Sequence, residues 1–133
     1  PQLASRTNLK LAVLISSLFF TLLHMGNSGI TSLSLVNLFL FGVAMSLYLL
    51  KTDTVWGVAG IHGAWNFAQG NLFGILVSGQ SSGTSIMKFT PQGNQDWLSG
   101  GSFGIEGSIM TSLVLLLLIV YLTYHLKKEN ERM

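Results

Sequence analysis

The chain has 133 residues, enough for one domain, and only 9% of them are charged, against about 25% in ordinary globular proteins. It has no cysteine, which excludes disulfides, thiol catalysis and cysteine-bound metal. Its net charge of +2 comes from basic residues at the ends of apolar segments rather than from a patch, which argues against a nucleic-acid surface.

Those charges leave three long uncharged runs: 40 residues between Lys10 and Lys51, 34 between Asp53 and Lys88, and 20 between Glu106 and Lys127. A soluble helix of such length needs a charged face toward water. Apolar runs of about 18 or more residues read as membrane spans. A first span is expected over about 9–25, stopping at the breaker "GNSG". A second follows over about 32–50 and ends at "KTDT". A third covers about 55–77, and a fourth covers about 105–126, closed by Lys127 and Lys128. Residues 78–104 are rich in Gly, Ser and Gln and read as an extramembrane or re-entrant loop, with a short helix near Asp96 to Leu98. The expectation is therefore one all-α membrane domain over 1–133, a polytopic bundle of about four helices without internal repeats. Placing the N-terminus in the cytoplasm puts Arg6, Lys10, Lys51, Lys127, Lys128 and Arg132 inside and Lys88 outside, so both termini are expected to be cytoplasmic. Trp97, Tyr121 and Tyr124 read as interface anchors, and His125 beside Lys127 reads as interfacial.

Polar side chains within a span face the protein interior or a wet cavity, because lipid-facing ones are costly. On the third span His62 and Asn66 lie about 40° apart on a helical wheel, with Gln69 about 20° to the other side. Gly57, Gly60 and Ala64 form an opposite face of small residues, suited to close helix contact. On the first span Ser17, Thr21 and His24 align, and Phe20 precedes His24 by one turn. At about 1.5 Å per residue, His24 lies roughly 21 Å beyond Lys10 and His62 roughly 14 Å beyond Asp53, which is compatible with one shared cavity. Geometry alone reads these groups equally as interhelical hydrogen-bond glue and as a site. Ser17, Thr21 and Gln69 fit packing or supporting roles, and Asn37 fits a structural hydrogen-bonder.

Two histidines and an asparagine in apolar surroundings point to water activation rather than a covalent nucleophile. A hydrolase needs a general base and a stabiliser for the developing oxyanion. Histidine and asparagine can supply the second. There is no H-E-x-x-H, and no carboxylate at the same depth: Asp53 and Glu106 sit at span ends, Asp96 in the loop, and Glu129 and Glu131 in the tail.

"FFTLLHMGN" carries F-x-x-x-H (Phe20, His24) and "GIHGAWNF" carries H-x-x-x-N (His62, Asn66), with "SLVNLFLFGVAMSLYLLKT" between them and "GGSFGIEGSIMTSLVLLLL" after. In order, separation and flanks, about Leu9 to Leu118 resembles the CPBP family of intramembrane proteases, the CAAX-processing and bacteriocin-processing enzymes also called the Abi family. The resemblance implies an intramembrane endopeptidase. His24 would activate water together with a glutamate from an E-E-x-x-x-R helix, and His62 with Asn66 would stabilise the oxyanion. The family is commonly classed with the metalloproteases, so the cofactor expectation is a divalent metal such as zinc on His24 and His62. Implied partners are the lipid bilayer and a peptide or membrane-protein substrate, such as a prenylated CAAX-type tail or a bacteriocin leader, in a bacterial plasma membrane.

E-E-x-x-x-R occurs nowhere in the 133 residues. The expectation is that they form the C-terminal part of a longer protein whose glutamate helix lies upstream of Pro1, and that alone they do not hydrolyse peptides. Two other readings stand beside this one. The first is a non-proteolytic bacteriocin self-immunity protein that acts by binding. The second is a transporter segment, which the lack of a visible repeat disfavours.

Overall fold

The computed structural model describes Leu3 and residues 6–91 and 95–131, the side chain of Asn130 aside. Among them, regular structure is helical. The sole pairing of extended backbone is an isolated antiparallel bridge between Val77 and Gln80. In chain order the helices are α1 (Leu9–Leu23), α2 (Ser32–Thr52), α3 (Val55–Phe67), α4 (Asp96–Ser99) and α5 (Ile109–Asn130). A π-helical segment, Ala68–Phe73, continues α3 directly, and two short 3₁₀ turns, Gly101–Phe103 and Ile105–Gly107, lead into α5.

Local chemistry sets most of these ends. The Asn8 side chain accepts from the Leu11 N–H and starts α1. Thr31 and Ser34 form a reciprocal capping box for α2: the Ser34 N–H donates to Thr31 Oγ1 at 3.1 Å, and the Thr31 N–H donates to Ser34 Oγ at 2.7 Å. Asp53, with φ +52°, ends α2 in a left-handed residue, so the chain reverses into α3 within two residues. Ser108 caps α5 by accepting from the Thr111 N–H, and Lys127 and Lys128 occupy its last turn, where the helix dipole favours cations.

Two of the four expected spans have the length and hydropathy to cross a membrane, α2 and α5; α1 is a shorter apolar helix. The third span differs from expectation in that α-helix ends at Phe67, gives way to the π-helical segment and stops at Gly74, whose φ of +66° closes it before Val77. The fourth starts at Ile109 rather than Ile105, because residues 105–107 form a 3₁₀ turn and Ser108, extended, is the cap. The short helix expected near Asp96 is present as α4.

Helix α2 lies at the centre. Its Gly42 meets α1 at Ser17, so closely that a Cβ on Gly42 would stand 2.8 Å from the Ser17 Cα. Ala44 and Met45 pack with Leu115 of α5, flanked by Leu40, Phe41, Val58, Leu118 and Ile119. Asn37, also on α2 and buried, donates through Nδ2 to the carbonyls of Glu106 (2.7 Å) and Ser108 (2.8 Å) and accepts from Ser112 Oγ (2.6 Å). That is the structural role expected of it. Of the two glycines on the small-residue face, Gly57 packs against the Tyr48 ring and Gly60 has nothing within 4 Å. Most large apolar side chains of α1 and α5, among them Leu22, Leu117 and Val120, point outward and are exposed, as a lipid-facing surface requires.

Candidate active site

His24 ends α1, and the sequence around it fixes its ring. The terminal turn tightens, so the His24 N–H bonds to the Thr21 carbonyl at 3.0 Å. The Phe20 carbonyl is thereby left for the imidazole, whose Nδ1 lies 2.7 Å from it. A carbonyl oxygen only accepts, so Nδ1 carries the proton and Nε2 is the free acceptor of the ring. The Phe20 ring adds a second hold, with its centroid 4.4 Å from that of His24. The F-x-x-x-H spacing thus works through one residue twice, by carbonyl and by ring.

His62 comes from the middle of α3. Its ring meets Phe20 edge-on at 5.8 Å and Phe41 of α2 at 5.4 Å, while Phe20 and Phe41 lie 5.6 Å apart. Phe20 therefore contacts both histidine rings. His24, His62 and Asn66 line one polar cleft of about 520 Å³, together with Asn27, Asn71 and Ser78. The structure brings the three sequence-predicted residues to one cavity.

A second cleft, about 490 Å³ and apolar, runs on the other side of His62 between Phe20, Phe41, Met45, Leu49 and Val55. A third space of about 30 Å³ lies behind His62 and is bounded by Asn37, Trp65, Ser78 and Glu106. His62 belongs to all three, so it marks the junction of a wet cleft and a greasy one.

Glu106 is the residue that sequence reasoning missed, having placed it as a span-end charge. Its Oε1 accepts from Trp65 Nε1 at 2.9 Å and from Gln69 Nε2 at 3.2 Å. Its Oε2 accepts from the Ser78 N–H at 2.7 Å and from Ser78 Oγ at 2.6 Å. The available signal was a pair of indole and amide donors one helical turn apart, Trp65 and Gln69, in a segment with no charged partner of its own. Ser78 has φ +47° and Gly79 φ +79°, the two central residues of a tight turn closed by Val77 and Gln80.

For a metal, the donor set is short. Two imidazoles line the cleft, one of them with Nδ1 engaged by Phe20, and among the described residues no three His, Asp or Glu side chains gather. A catalytic zinc takes three protein ligands, so these residues do not by themselves make such a site, and no step below runs through a metal.

The sequence profile of the Rce1-like family, type II CAAX prenyl endopeptidase, matches residues 1–68. The chain belongs to this family. The match covers α1, α2 and α3, and with them His24, His62 and Asn66, whereas the Ser78 turn and Glu106 lie beyond it. No curated protein and no solved structure matches the chain. As an Rce1-like chain with two membrane-length apolar helices, it is an integral membrane protein of a protease family.

Proposed function

We propose that this Rce1-like chain carries the histidine–asparagine part of an intramembrane endopeptidase that hydrolyses a peptide bond with activated water. The observation that supports it is the meeting of His24, His62 and Asn66 in one polar cleft. His24, with Nδ1 engaged by Phe20, offers Nε2 to take a proton from water. That water attacks the scissile carbonyl, and His62 and Asn66 donate to the oxyanion that forms. Collapse of the tetrahedral intermediate breaks the C–N bond, and the proton held by His24 passes to the leaving amine.

The base needs a carboxylate partner. Among the described residues Glu106 is the only acid lining the three cavities that meet at His62, and four donors already occupy its two oxygens. We assign that role to a glutamate of the E-E-x-x-x-R motif that the family resemblance implies and that these 133 residues do not contain.

The two clefts match a substrate that is part lipid and part peptide. The apolar cleft runs from His62 toward Leu49 and Val55, beside Lys51. Lys51 lies over the Tyr121 ring of α5, 5.4 Å from its centroid, so the basic ends of α2 and α5 share one side of the bundle. By the positive-inside rule we take that side as the cytoplasmic one. A prenylated CAAX-type tail would enter with its isoprenoid in the apolar cleft and its peptide at His62. Nothing observed favours the self-immunity reading.

In the full-length protein reconstituted in vesicles, His62→Ala and Asn66→Ala should each lower kcat by about 10²–10³-fold, with KM of a prenylated peptide changed far less. Unchanged turnover in both variants refutes the assignment of these residues.

A further inference from the structure

We propose that Glu106 is a positioning residue for this site: it clasps α3, beside its polar face, to the Ser78 turn and so sets where His62 and Asn66 point. The inference rests on the proteolytic reading above and adds a residue outside the part of the chain that matches the family.

Three observations carry it. First, Trp65 and Gln69 bond the same oxygen, Oε1, from successive turns of the segment that holds His62 and Asn66. Two anchors one turn apart fix the rotation of a helix about its axis, and His62 and Asn66 are the neighbours of Trp65 on that helix. Second, Ser78 adopts a left-handed φ that a non-glycine residue rarely takes, and in that conformation its N–H and its hydroxyl both reach Oε2. Ser78 also lines the polar cleft beside the histidines, so the same carboxylate places part of the cleft wall. Third, Gln69 Oε1 is buried without a partner. Turning the amide over would set that oxygen against Glu106 Oε1, acceptor against acceptor, so the carboxylate dictates the amide's orientation at the cost of one unpaired atom.

The backbone completes the clasp. The Glu106 carbonyl accepts from buried Asn37, so the residue is tied to α2 as well as to α3 and the turn. Glu106 touches no substrate in this account. It acts through Trp65, Gln69 and Ser78.

The test uses the full-length protein in vesicles and a prenylated peptide. E106Q keeps the volume and replaces one acceptor oxygen with an amide group, which must face at least one of the four donors. With turnover counted per folded molecule, kcat should fall about 10–100-fold, as misplacement by an ångström or less costs. KM should stay within about twofold, because the apolar cleft that takes the isoprenoid is lined by neither Glu106 nor its donors. W65F alone should lose part of that rate, and E106Q/W65F should lose no more than E106Q, because both act through one contact. A merely structural role would lower the folded fraction and leave kcat per folded molecule intact. That outcome, or additive losses in the double variant, overturns the proposal. Tryptophan emission gives a readout independent of turnover: in a W56F/W97F background Trp65 is the remaining tryptophan of this chain, and E106Q should shift its emission. An unshifted spectrum overturns the clasp even if the protein cleaves nothing. A shifted spectrum with no cleavage by the wild type keeps the clasp and rejects the proteolytic reading instead.

Discussion

Asn37 donates to two backbone carbonyls and accepts from Ser112, all inside the bundle, so every polar atom of its amide is used. Asn37→Leu matches its size, leaves the Glu106 carbonyl without its donor, and removes the amide contact of the Ser108 carbonyl and the Ser112 hydroxyl. A buried group deprived of its hydrogen bond costs about 1–3 kcal/mol, and membrane interiors measure nearer the low end, so a loss of about 2 kcal/mol is expected. Equilibrium unfolding of the variant in mixed micelles checks it; a loss below about 0.5 kcal/mol would contradict the role. Asn37 was legible in the sequence because an amide within an apolar run must find a partner. Glu106 was not. Its donors lie 28 to 41 positions away, and nothing in a linear reading brings Ser78, Trp65 and Gln69 to one carboxylate.

Helix ends follow short-range chemistry, and they were legible to that extent. "KTDT" marks the reversal between α2 and α3, and the Lys127–Lys128 pair lies in the last turn of α5, close to where charge and turn residues placed them. The π-helical segment was not legible, since Ala68–Phe73 has no residue that forbids an α-helix. Helix contacts were half legible. A stripe of small residues on α3 reads as a packing face, yet the close approach occurs at Gly42 of α2, where the backbone of α1 comes within reach of a Cβ. Gly42→Val should therefore separate α1 from α2 and destabilise the bundle by about 1–3 kcal/mol, the range for overpacking a tight contact. Gly60→Ala, facing open space, should cost nothing and gain helix propensity. A thermal-denaturation comparison of the two variants decides between these faces, and equal stability would contradict the crossing at Gly42.

Across the whole molecule, few apolar side chains are buried and many large ones face outward, which is the arrangement of a bundle whose solvent is lipid. Membership of the type II CAAX prenyl endopeptidase Rce1-like family agrees with that arrangement. Long uncharged runs made the membrane class legible, and two five-residue motifs made the family legible. The division into one polar and one apolar cleft about His62 needed three dimensions, because α1, α2 and α3 wall the apolar cleft, whereas His24, α3 and residues 77–82 wall the polar one. The central claim is that His24 activates the water that cuts the substrate. Its most direct test is mass spectrometry of a prenylated CAAX-type peptide incubated with vesicles holding the full-length protein or its His24→Ala variant. The account predicts a single truncated product ending in a new carboxylate with the wild type, and none with a variant that inserts and folds normally. Equal product from the two proteins would contradict it.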